Sequence, residues 1–307
     1  MNLDLEKQDS PQKEIHKSLL GVGWIAGVGA YLFWALMPLF WRLFEGVDPF
    51  IVFLFRAIWA FPFLYGLSFV PYFKSVQKFE FGASRSMWLL LSALLIGGNW
   101  WIYVIGVSSH RVVEMSLGYF ISPLLSSSLG VVLLKERLRL SQWVGVILVF
   151  FGVLFYSFHV GEIPLMAIGL ALTFSFYSLI RKAFALPAMT ALLTEFLILF
   201  LLAMVWILIS GSDGQSVILS EWTRFKFLFV LSGAMTALPL LWFAFATQKL
   251  SMTTMGMLNY ISPTGKFLLA VLVFGESVLP MDLLFFAMIW TGIGIYLYQT
   301  VSHRETS

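Results

Sequence analysis

The sequence predicts an all-α integral membrane protein with ten transmembrane helices, arranged as two inverted repeats of five helices each. Hydrophobic residues fill 60% of the 307 positions and charged residues only 11%, a balance that excludes an ordinary soluble globule. Apolar runs of about 20 residues, the length needed to cross a bilayer, recur along the chain. The two halves of the chain also share one pattern of residues in a single register.

The predicted segments lie between breaks that hold nearly all the charged residues. The chain divides into an N-terminal tail (1–18), a first repeat (19–159), a second repeat (163–300) and a C-terminal tail (301–307). The first tail is polar and mixed in charge, so it does not resemble a cleaved signal peptide. The ten segments are 19–42, 50–72, 86–107, 112–134, 140–159, 163–183, 189–210, 226–247, 252–274 and 280–300.

The repeat is visible in the less common residue types, which rarely match by chance in so apolar a chain. Adding 140 to a residue number superimposes the halves without a gap. Each half is therefore predicted to be one copy of a structural unit, with a shared site between the copies. The matched pairs include Ser122 with Ser262, Pro123 with Pro263, Glu136 with Glu276, Gly152 with Gly292 and Tyr156 with Tyr296.

Positive charges predict the orientation of the helices. The connectors on one side carry 13 Lys and Arg residues, and those on the other side carry 4. By the positive-inside rule both termini are cytoplasmic, which requires an even number of spans. Five spans per half is an odd number, so the second copy must enter the membrane from the opposite side.

Several chemical functions are excluded by what the chain lacks. It has no cysteine, and so no disulfide, thiolate metal ligand or cysteine nucleophile. No His, Asp or Glu spacing resembles a metal site, and no phosphate-binding Gly-Lys-Ser/Thr loop is present. We expect no cofactor. The net charge of +3 is explained by the basic connectors rather than by nucleic-acid binding.

Charged residues inside predicted spans are candidate functional residues, because a charge at mid-membrane costs about 3 kcal/mol on insertion scales. Arg56 lies well inside segment two. Its guanidinium would hold a carboxylate or phosphate of a substrate, or else a protein carboxylate. Glu195 in segment seven is the candidate partner, or a proton carrier. Lys266 lies in segment nine.

Segments four and nine are rich in small and polar residues, including Ser122, Asn259 and Ser262. Pro123 and Pro263 each remove a backbone hydrogen bond. The bland interpretation is close helix packing with two kinks. The functional interpretation is that these helices meet near the pseudo-twofold axis and line a substrate cavity.

Aromatic and amide side chains inside segments one and three are further cavity candidates: Trp34, Asn99, Trp100, Trp101 and Tyr103. Their flat faces would contact an organic substrate, although most aromatic residues of this chain are expected to face lipid. His110 and Glu114 at the join of segments three and four form either a capped turn or an outer gate. We expect Glu136 to form a local ion-pair network with its basic neighbours.

Specific motifs show a resemblance to a known family. The chain contains Gly97-Gly98-Asn99-Trp100, Ser116-Leu117-Gly118-Tyr119-Phe120-Ile121, Lys135-Glu136-Arg137-Leu138, Phe176-Tyr177, Glu195, Tyr260-Ile261 and Gly275-Glu276. In these runs it resembles the RarD proteins of the EamA group in the drug/metabolite transporter (DMT) superfamily, over essentially its whole length. The resemblance implies a ten-helix inner-membrane carrier of two inverted halves (EamA/DMT-like), with a loose association with chloramphenicol sensitivity. Lys266 departs from the apolar residue expected there.

The predicted function is a secondary transporter that moves a small organic metabolite or drug across the inner membrane by alternating access, as an exporter or exchanger. The alternatives are an intramembrane enzyme or lipid-handling protein, and a channel. Expected partners are a small-molecule substrate and the lipid bilayer, with protons as a candidate coupling ion. The cavity candidates are Arg56, Trp34, Asn99, Trp100, Trp101, Tyr103, Tyr119, Ser122, Tyr177, Asn259, Tyr260, Ser262 and Lys266, and the coupling or gating candidates are Glu114, His110 and Glu195.

Overall fold

The computed structural model describes residues 11–70, 83–108, 112–160, 165–273 and 280–302. These residues form eleven α-helices and one short 3-10 helix, and no strand occurs among them. The helices are α1 (Pro11–Trp41), α2 (Pro49–Ser68), α3 (Ala83–Ser108), α4 (Val112–Val132), α5 (Leu140–Val160), α6 (Leu165–Ala183), α7 (Ala188–Ile209), α8 (Gly211–Lys249), α9 (Met252–Asn259), α10 (Ile261–Leu272) and α11 (Pro280–Ser302). The predicted all-α class is confirmed.

The protein is a multi-pass membrane protein. Within the described ranges, six helical stretches are long and apolar enough to cross a membrane, and three shorter apolar stretches accompany them. Large apolar side chains face outward, as lipid contact requires, and the exposed fraction reaches 83% at Leu140 and 80% at Phe227. The six are Gly21–Phe44, Pro49–Ser68, Ser86–Gly106, Leu165–Ala183, Ala188–Ile209 and Gly211–Lys249, and the three are Gly118–Val132, Leu140–Phe155 and Leu283–Gln299.

Two helices begin well before the predicted apolar segments. Helix α1 begins at Pro11 rather than at residue 19, and α8 begins at Gly211 rather than at residue 226. Hydropathy detects only the apolar part of a helix, so it misses these polar first turns. Phe225 has φ −122° and ψ 18° inside α8, which bends that helix where its apolar part begins.

The predicted ninth segment consists of two short helices, α9 and α10, separated at Tyr260. Pro263 has no N–H to donate to the carbonyl four residues earlier, which belongs to Asn259, the last residue of α9. Pro123 does not have this effect, since α4 continues through it. The repeat therefore differs in conformation at its two equivalent prolines.

Glycines allow close contacts between helices of the two sequence halves. A Cβ added at Gly145 in α5 would lie 2.6 Å from the carbonyl oxygen of Gly292 in α11. Helix α4 packs against both α6 and α9. At the latter contact, a Cβ on Gly256 would lie 2.7 Å from the Pro123 carbonyl oxygen. Only glycine permits the backbones to approach this closely.

Glu136 caps a helix of the other half, which corrects the predicted local ion-pair network. Its carboxylate accepts hydrogen bonds from the backbone N–H groups of Met252 (2.6 Å) and Thr253 (2.9 Å) and from the Thr253 hydroxyl. These N–H groups begin α9, and a negative charge there also complements the helix dipole. Nearby, the Lys182 ammonium donates to the Leu250 carbonyl oxygen just after α8 (2.6 Å). The charged side chains of Glu136 and Lys182 thus bind the start of α9 and the end of α8.

Candidate functional site

A polar cavity of about 120 Å³ lies inside the helix bundle. Its walls come from α1, α2, α3 and α4 of the first half and from α6, α8, α9 and α10 of the second. The lining residues are Trp34, Met37, Pro38, Trp41, Arg56, Ile96, Asn99, Trp100, Tyr103, Gly118, Tyr119, Ser122, Leu170, Phe174, Met235, Thr236, Leu240, Asn259, Ser262 and Lys266.

Most of the cavity candidates predicted from the sequence line this one space. They comprise Trp34, Arg56, Asn99, Trp100, Tyr103, Tyr119, Ser122, Asn259, Ser262 and Lys266. Segments four and nine, which contribute Ser122 and Ser262, contact each other through α4 and α9. The small and polar residues of these helices therefore serve close packing and cavity lining at once.

Three predicted residues do not line the cavity. Trp101 faces outward with 42% of its surface exposed, and its ring contacts Phe50. Successive helix residues point about 100° apart, so Trp100 and Trp101 cannot both face inward. Tyr177 belongs to a buried polar cluster, and Tyr260 is buried with its hydroxyl donating to the Phe120 carbonyl oxygen (3.0 Å).

Arg56 lies among aromatic rings at the cavity wall. The carbon at the centre of its guanidinium is 4.2 Å from the Trp100 ring centroid and 5.2 Å from that of Trp41. These are cation–π distances, which stabilise a cation in a poorly hydrated site. Its Nε is buried without a hydrogen-bond partner, and no carboxylate of the described residues forms an ion pair with it.

Glu195 does not pair with Arg56, contrary to the structural alternative raised by the sequence. Its carboxylate instead forms an ion pair with Arg181 at 2.6 Å, and the exposed fractions of the two side chains are only 0% and 1%. Arg181 lies in the last turn of α6, beside Lys182. The 140-residue offset maps Arg56 to the position next to Glu195, which suggested a similar depth in the membrane. Depth alone does not determine which neighbouring helix a side chain faces.

The Arg181 cluster consists of Ser92, Tyr177, Arg181 and Glu195. Arg181 donates from Nε to the Tyr177 hydroxyl (2.7 Å), and the Ser92 hydroxyl donates to the Glu195 carboxylate (2.6 Å). The cluster joins α3, α6 and α7. The Nη1 of Arg181 is buried without a hydrogen-bond partner among the described residues, but the charge of the guanidinium is compensated by the Glu195 carboxylate. This pattern indicates a structural role.

Lys266 is the second cation of the cavity wall. Its ammonium lies 3.7 Å from the centroid of the Tyr119 ring, whose neighbour is Tyr103 at 6.2 Å between centroids. No carboxylate of the described residues forms an ion pair with Lys266. The lining residues include Arg56 and Lys266 but no Asp or Glu. The described part of the cavity wall therefore carries an excess of positive charge.

Some polar side chains of the cavity lining form hydrogen bonds within the described part of the protein and others do not. The Asn99 amide nitrogen donates to the Leu170 carbonyl oxygen (2.9 Å) and the Thr173 hydroxyl (3.0 Å), which fixes the orientation of the amide. The hydroxyls of Ser122 and Thr236 are buried and have no hydrogen-bond partner among the described residues. Buried polar groups are normally bonded, so these two are available to a bound molecule or water.

An aromatic cluster of Trp34, Phe174 and Phe243 adjoins the cavity. Trp34 and Phe174 line the cavity and contact Phe243, with ring centroids 5.8 Å and 5.3 Å away. Phe243 stacks in turn on Tyr177 of the Arg181 cluster at 6.0 Å. Ring contacts between α1, α6 and α8 thus connect the cavity lining to the Arg181 cluster.

Sequence reasoning missed several lining residues. Thr236, Phe174 and Trp41 stand in apolar segments where many similar side chains face lipid, so no pattern distinguished them. The predicted gate residue His110 and the side chain of Glu114 lie outside the described residues, as does Glu276.

Comparisons with known proteins identify the family to which the chain is similar. Residues 21–158 match the EamA-like transporter family. The chain is 35% identical over 280 residues to "Protein RarD" of Salmonella typhi, covering 91% of this chain and 95% of that protein. It is 34% identical over 287 residues to "Protein RarD" of Escherichia coli (strain K12), with coverages of 93% and 97%.

Two further similarities support the same placement. An uncharacterized transporter of Pseudomonas aeruginosa is 36% identical over 281 residues, covering 90% of this chain and 93% of that protein. A crystal structure superimposes with a TM-score of 0.67 at 18% identity, covering 91% of this chain and 97% of that one. At that identity the superposition indicates a shared fold alone.

Proposed function

Because the chain belongs to the RarD/EamA family of drug/metabolite transporters, we propose that it carries a small organic metabolite or drug across the cell membrane by alternating access, as an exporter or exchanger. The cavity is the observation that carries this proposal, since both sequence halves contribute to its walls. Secondary transporters built from inverted repeats bind their substrate between the repeats, near the middle of the membrane.

The proposed architecture is ten spans in two inverted halves, with α9 and α10 forming one crossing. Helix contacts support it. Helix α4 packs against α6, and its counterpart α10 packs against α1. Likewise α3 packs against α6, and the counterpart α8 packs against α1. Each of these contacts has a partner under the 140-residue offset, as a pseudo-twofold axis requires.

The aromatic cluster and the Arg181 cluster are the proposed closure on the cytoplasmic side. This assignment rests on the positive-inside rule, which makes the termini cytoplasmic and directs α6 from outside to inside. Phe174 then lies closer to the outer side than Tyr177 and Arg181. Transport would require these packed side chains to separate, while the opposite side of the bundle closes over the cavity.

The composition of the cavity favours a carrier over the alternative of an intramembrane enzyme. Among the residues that the structure describes, no Asp, Glu or His lines the cavity, so none of them places a general base beside the Ser122 hydroxyl. The relatives with functional names are transporters. A channel would use rings of identical polar groups, which this lining does not contain.

Proton coupling is proposed through Glu114 or His110 rather than through Glu195. The Glu195 carboxylate is occupied by Arg181, Ser92 and Tyr177, and it does not line the cavity. A proton carrier must exchange protons with water on both sides during the cycle, and a fully bonded buried carboxylate is poorly suited to that task.

Metabolite analysis tests the proposed function directly. We expect at least one small organic compound to accumulate in the cytosol of a strain lacking the protein and to rise in the medium of an overexpressing strain. The control strain expresses the Gly256→Ala protein, which is expected to impair packing between α4 and α9. Identical metabolite levels in all strains would contradict the transport proposal.

Cysteine labelling tests the location of the site in this cysteine-free chain. Ser122→Cys and Ser262→Cys should react with a small polar thiol reagent, because both positions line the cavity. Ser232→Cys is the matched control, since that position is buried without lining the cavity. Equal inertness at all three positions would argue against a water-accessible cavity.

A further inference from the structure

Resting on the proposed carrier function, we propose that the substrate is a compact organic acid whose carboxylate or phosphate group is held between Arg56 and Lys266. These residues come from different halves of the chain and line the same cavity. An anion bound between them would join the two halves through its charge. The proposal names a substrate class for the site described above.

The first argument is the contrast between two arginines inside the bundle. Arg181 is buried with Glu195 as its counter-charge at 2.6 Å. Arg56 lines the cavity, and no carboxylate of the described residues pairs with it. A buried charge normally has a partner or lines water. Arg181 has the carboxylate of Glu195 as its counter-charge. We expect a negative group of the substrate to be the counter-charge of Arg56.

The second argument is that free donors surround the same space. The Nε of Arg56 and the hydroxyls of Ser122 and Thr236 are buried without hydrogen-bond partners in the described part of the chain. All three residues line the cavity. Carboxylates and phosphates accept several hydrogen bonds and bind strongly to guanidinium groups, which present donors in a planar fork. The lining thus offers hydrogen-bond donors where an anion needs them.

Aromatic rings explain how the cations are stabilised when no anion is bound. Arg56 contacts the rings of Trp100 and Trp41, and Lys266 contacts the ring of Tyr119. A guanidinium stacked on a ring keeps the N–H groups at its edge free for an anion. The same rings, together with Trp34 and Phe174, offer apolar faces to the rest of the substrate.

The volume of the cavity restricts the size of the acid. About 120 Å³ is well below the roughly 300–1,000 Å³ of sites for drug-sized ligands. The site therefore fits a compact acid with a small apolar body better than a large drug. A carboxylate and a phosphate share the required charge and acceptor oxygens, so the experiment must separate them.

Thermal unfolding of the purified full chain in neutral detergent provides the binding test. The probes are sodium benzoate, phenyl phosphate and the uncharged analogue benzamide, at constant ionic strength set with sodium chloride. Either acid should raise Tm in a concentration-dependent manner, because a ligand that binds only the folded state stabilises it. The acid that raises Tm more at the same concentration identifies the preferred anionic group. A rise with benzamide equal to that with the acids, or no acid-specific rise, would overturn the proposal.

Variants locate the effect in the cavity. Arg56→Gln and Lys266→Gln should each weaken acid binding on the order of tenfold or more, since each removes a charge-assisted contact. Arg56→Lys should recover only part of the loss, because Lys lacks the planar fork. Arg224→Gln, at an exposed position outside the cavity, is the matched control. Unchanged acid binding in both cavity variants would overturn the proposal even if transport is observed.

The charge of the transported compounds separates this proposal from the carrier function itself. Compounds whose medium levels depend on the protein should be acids at neutral pH, and their export should fall with Arg56→Gln and Lys266→Gln. Export of only neutral or cationic compounds would overturn the anion proposal and leave the carrier function standing. Tm values of the variants without ligand show whether each protein is folded.

Discussion

The Tyr260 hydroxyl donates a hydrogen bond to the Phe120 carbonyl oxygen at 3.0 Å, and the two residues are 140 positions apart. That separation is the offset that superimposes the two halves of the sequence. In the proposed inverted arrangement, residues at equivalent positions touch only near the pseudo-twofold axis that relates the two halves. The bond therefore marks the point where α4 meets the break between α9 and α10.

Removal of this bond should destabilise the contact between the halves. Tyr260→Phe deletes only the donor, and we expect it to lower the free energy of unfolding by about 1 kcal/mol. Tyr298→Phe is the matched control, because that side chain is 69% exposed. Thermal unfolding in detergent measures both variants. Equal Tm values for the two variants would show that the bond contributes nothing.

The Arg181–Glu195 ion pair predicts a non-additive pair of mutations. Arg181→Ala or Glu195→Gln alone should cost about 3–5 kcal/mol, because each leaves an uncompensated group in a buried site. The combination of Arg181→Met with Glu195→Leu should restore much of the folding yield. Tm and monodisperse yield after purification are the measurements.

The same series distinguishes the two candidate partners of Glu195. Combining Glu195→Gln with Arg56→Ala should give no rescue, since the structure pairs Glu195 with Arg181. Rescue by Arg56→Ala and not by Arg181→Met would indicate that the pairing is wrong.

Glu136 should stabilise the start of α9 as a helix cap. Glu136→Gln keeps the size of the side chain but removes its negative charge, and we expect a loss of about 0.5–2 kcal/mol. The exposed Glu45→Gln serves as a control for the loss of one acidic residue. Unfolding measured by Tm should separate the two variants, whereas identical shifts would count against the cap.

Close packing between α4 and α9 depends on Gly256. Its added Cβ would lie 2.5 Å from the Ser127 hydroxyl oxygen and 2.7 Å from the Pro123 carbonyl oxygen. Gly256→Ala should therefore destabilise the protein by about 1–3 kcal/mol. Gly98→Ala is the control, since nothing lies within 4 Å of its added Cβ. A Gly256→Ala protein as stable as the control would contradict this close contact.

Reporter fusions test the proposed orientation. A reporter that is active only in the cytoplasm should work after Arg139 and after Arg304, and it should fail after Gly161. Activity at Gly161 combined with silence at Arg304 would contradict an inverted arrangement of two five-span halves. The fusion after Arg139 also acts as the internal control for expression.

Much of the cavity could be predicted from the sequence because polar groups are costly inside a membrane. Arg56, Asn99 and Lys266 were identified by their depth in apolar segments, and all three line the cavity. Most helix bounds were predictable for the same reason, since charges and apolar runs alternate along the chain. The polar starts of α1 and α8 and the break at Tyr260 were not. Apolar composition alone, however, cannot distinguish a ring that faces substrate from one that faces lipid.

Features that depend on which helix faces which were not predictable. Arg181 stands one residue from Lys182 near the end of α6, yet its guanidinium is buried with Glu195. Glu136 stands among basic neighbours, yet it caps a helix more than a hundred residues away. Both partners are set by tertiary packing, for which a single sequence carries no periodic signal.

The 140-residue offset also aligns Trp41 with Arg181, so equivalent positions use different chemistry. The Trp41 ring contacts cavity-lining Arg56, whereas Arg181 forms a buried ion pair. In a carrier whose halves exchange conformations, the free energy of opening the cavity to one side of the membrane would differ from that of opening it to the other side. One resting conformation would then predominate, and apparent affinity is reduced by the fraction of molecules in the competent state. The same substrate would therefore show different half-saturation concentrations when offered from the two sides of the membrane.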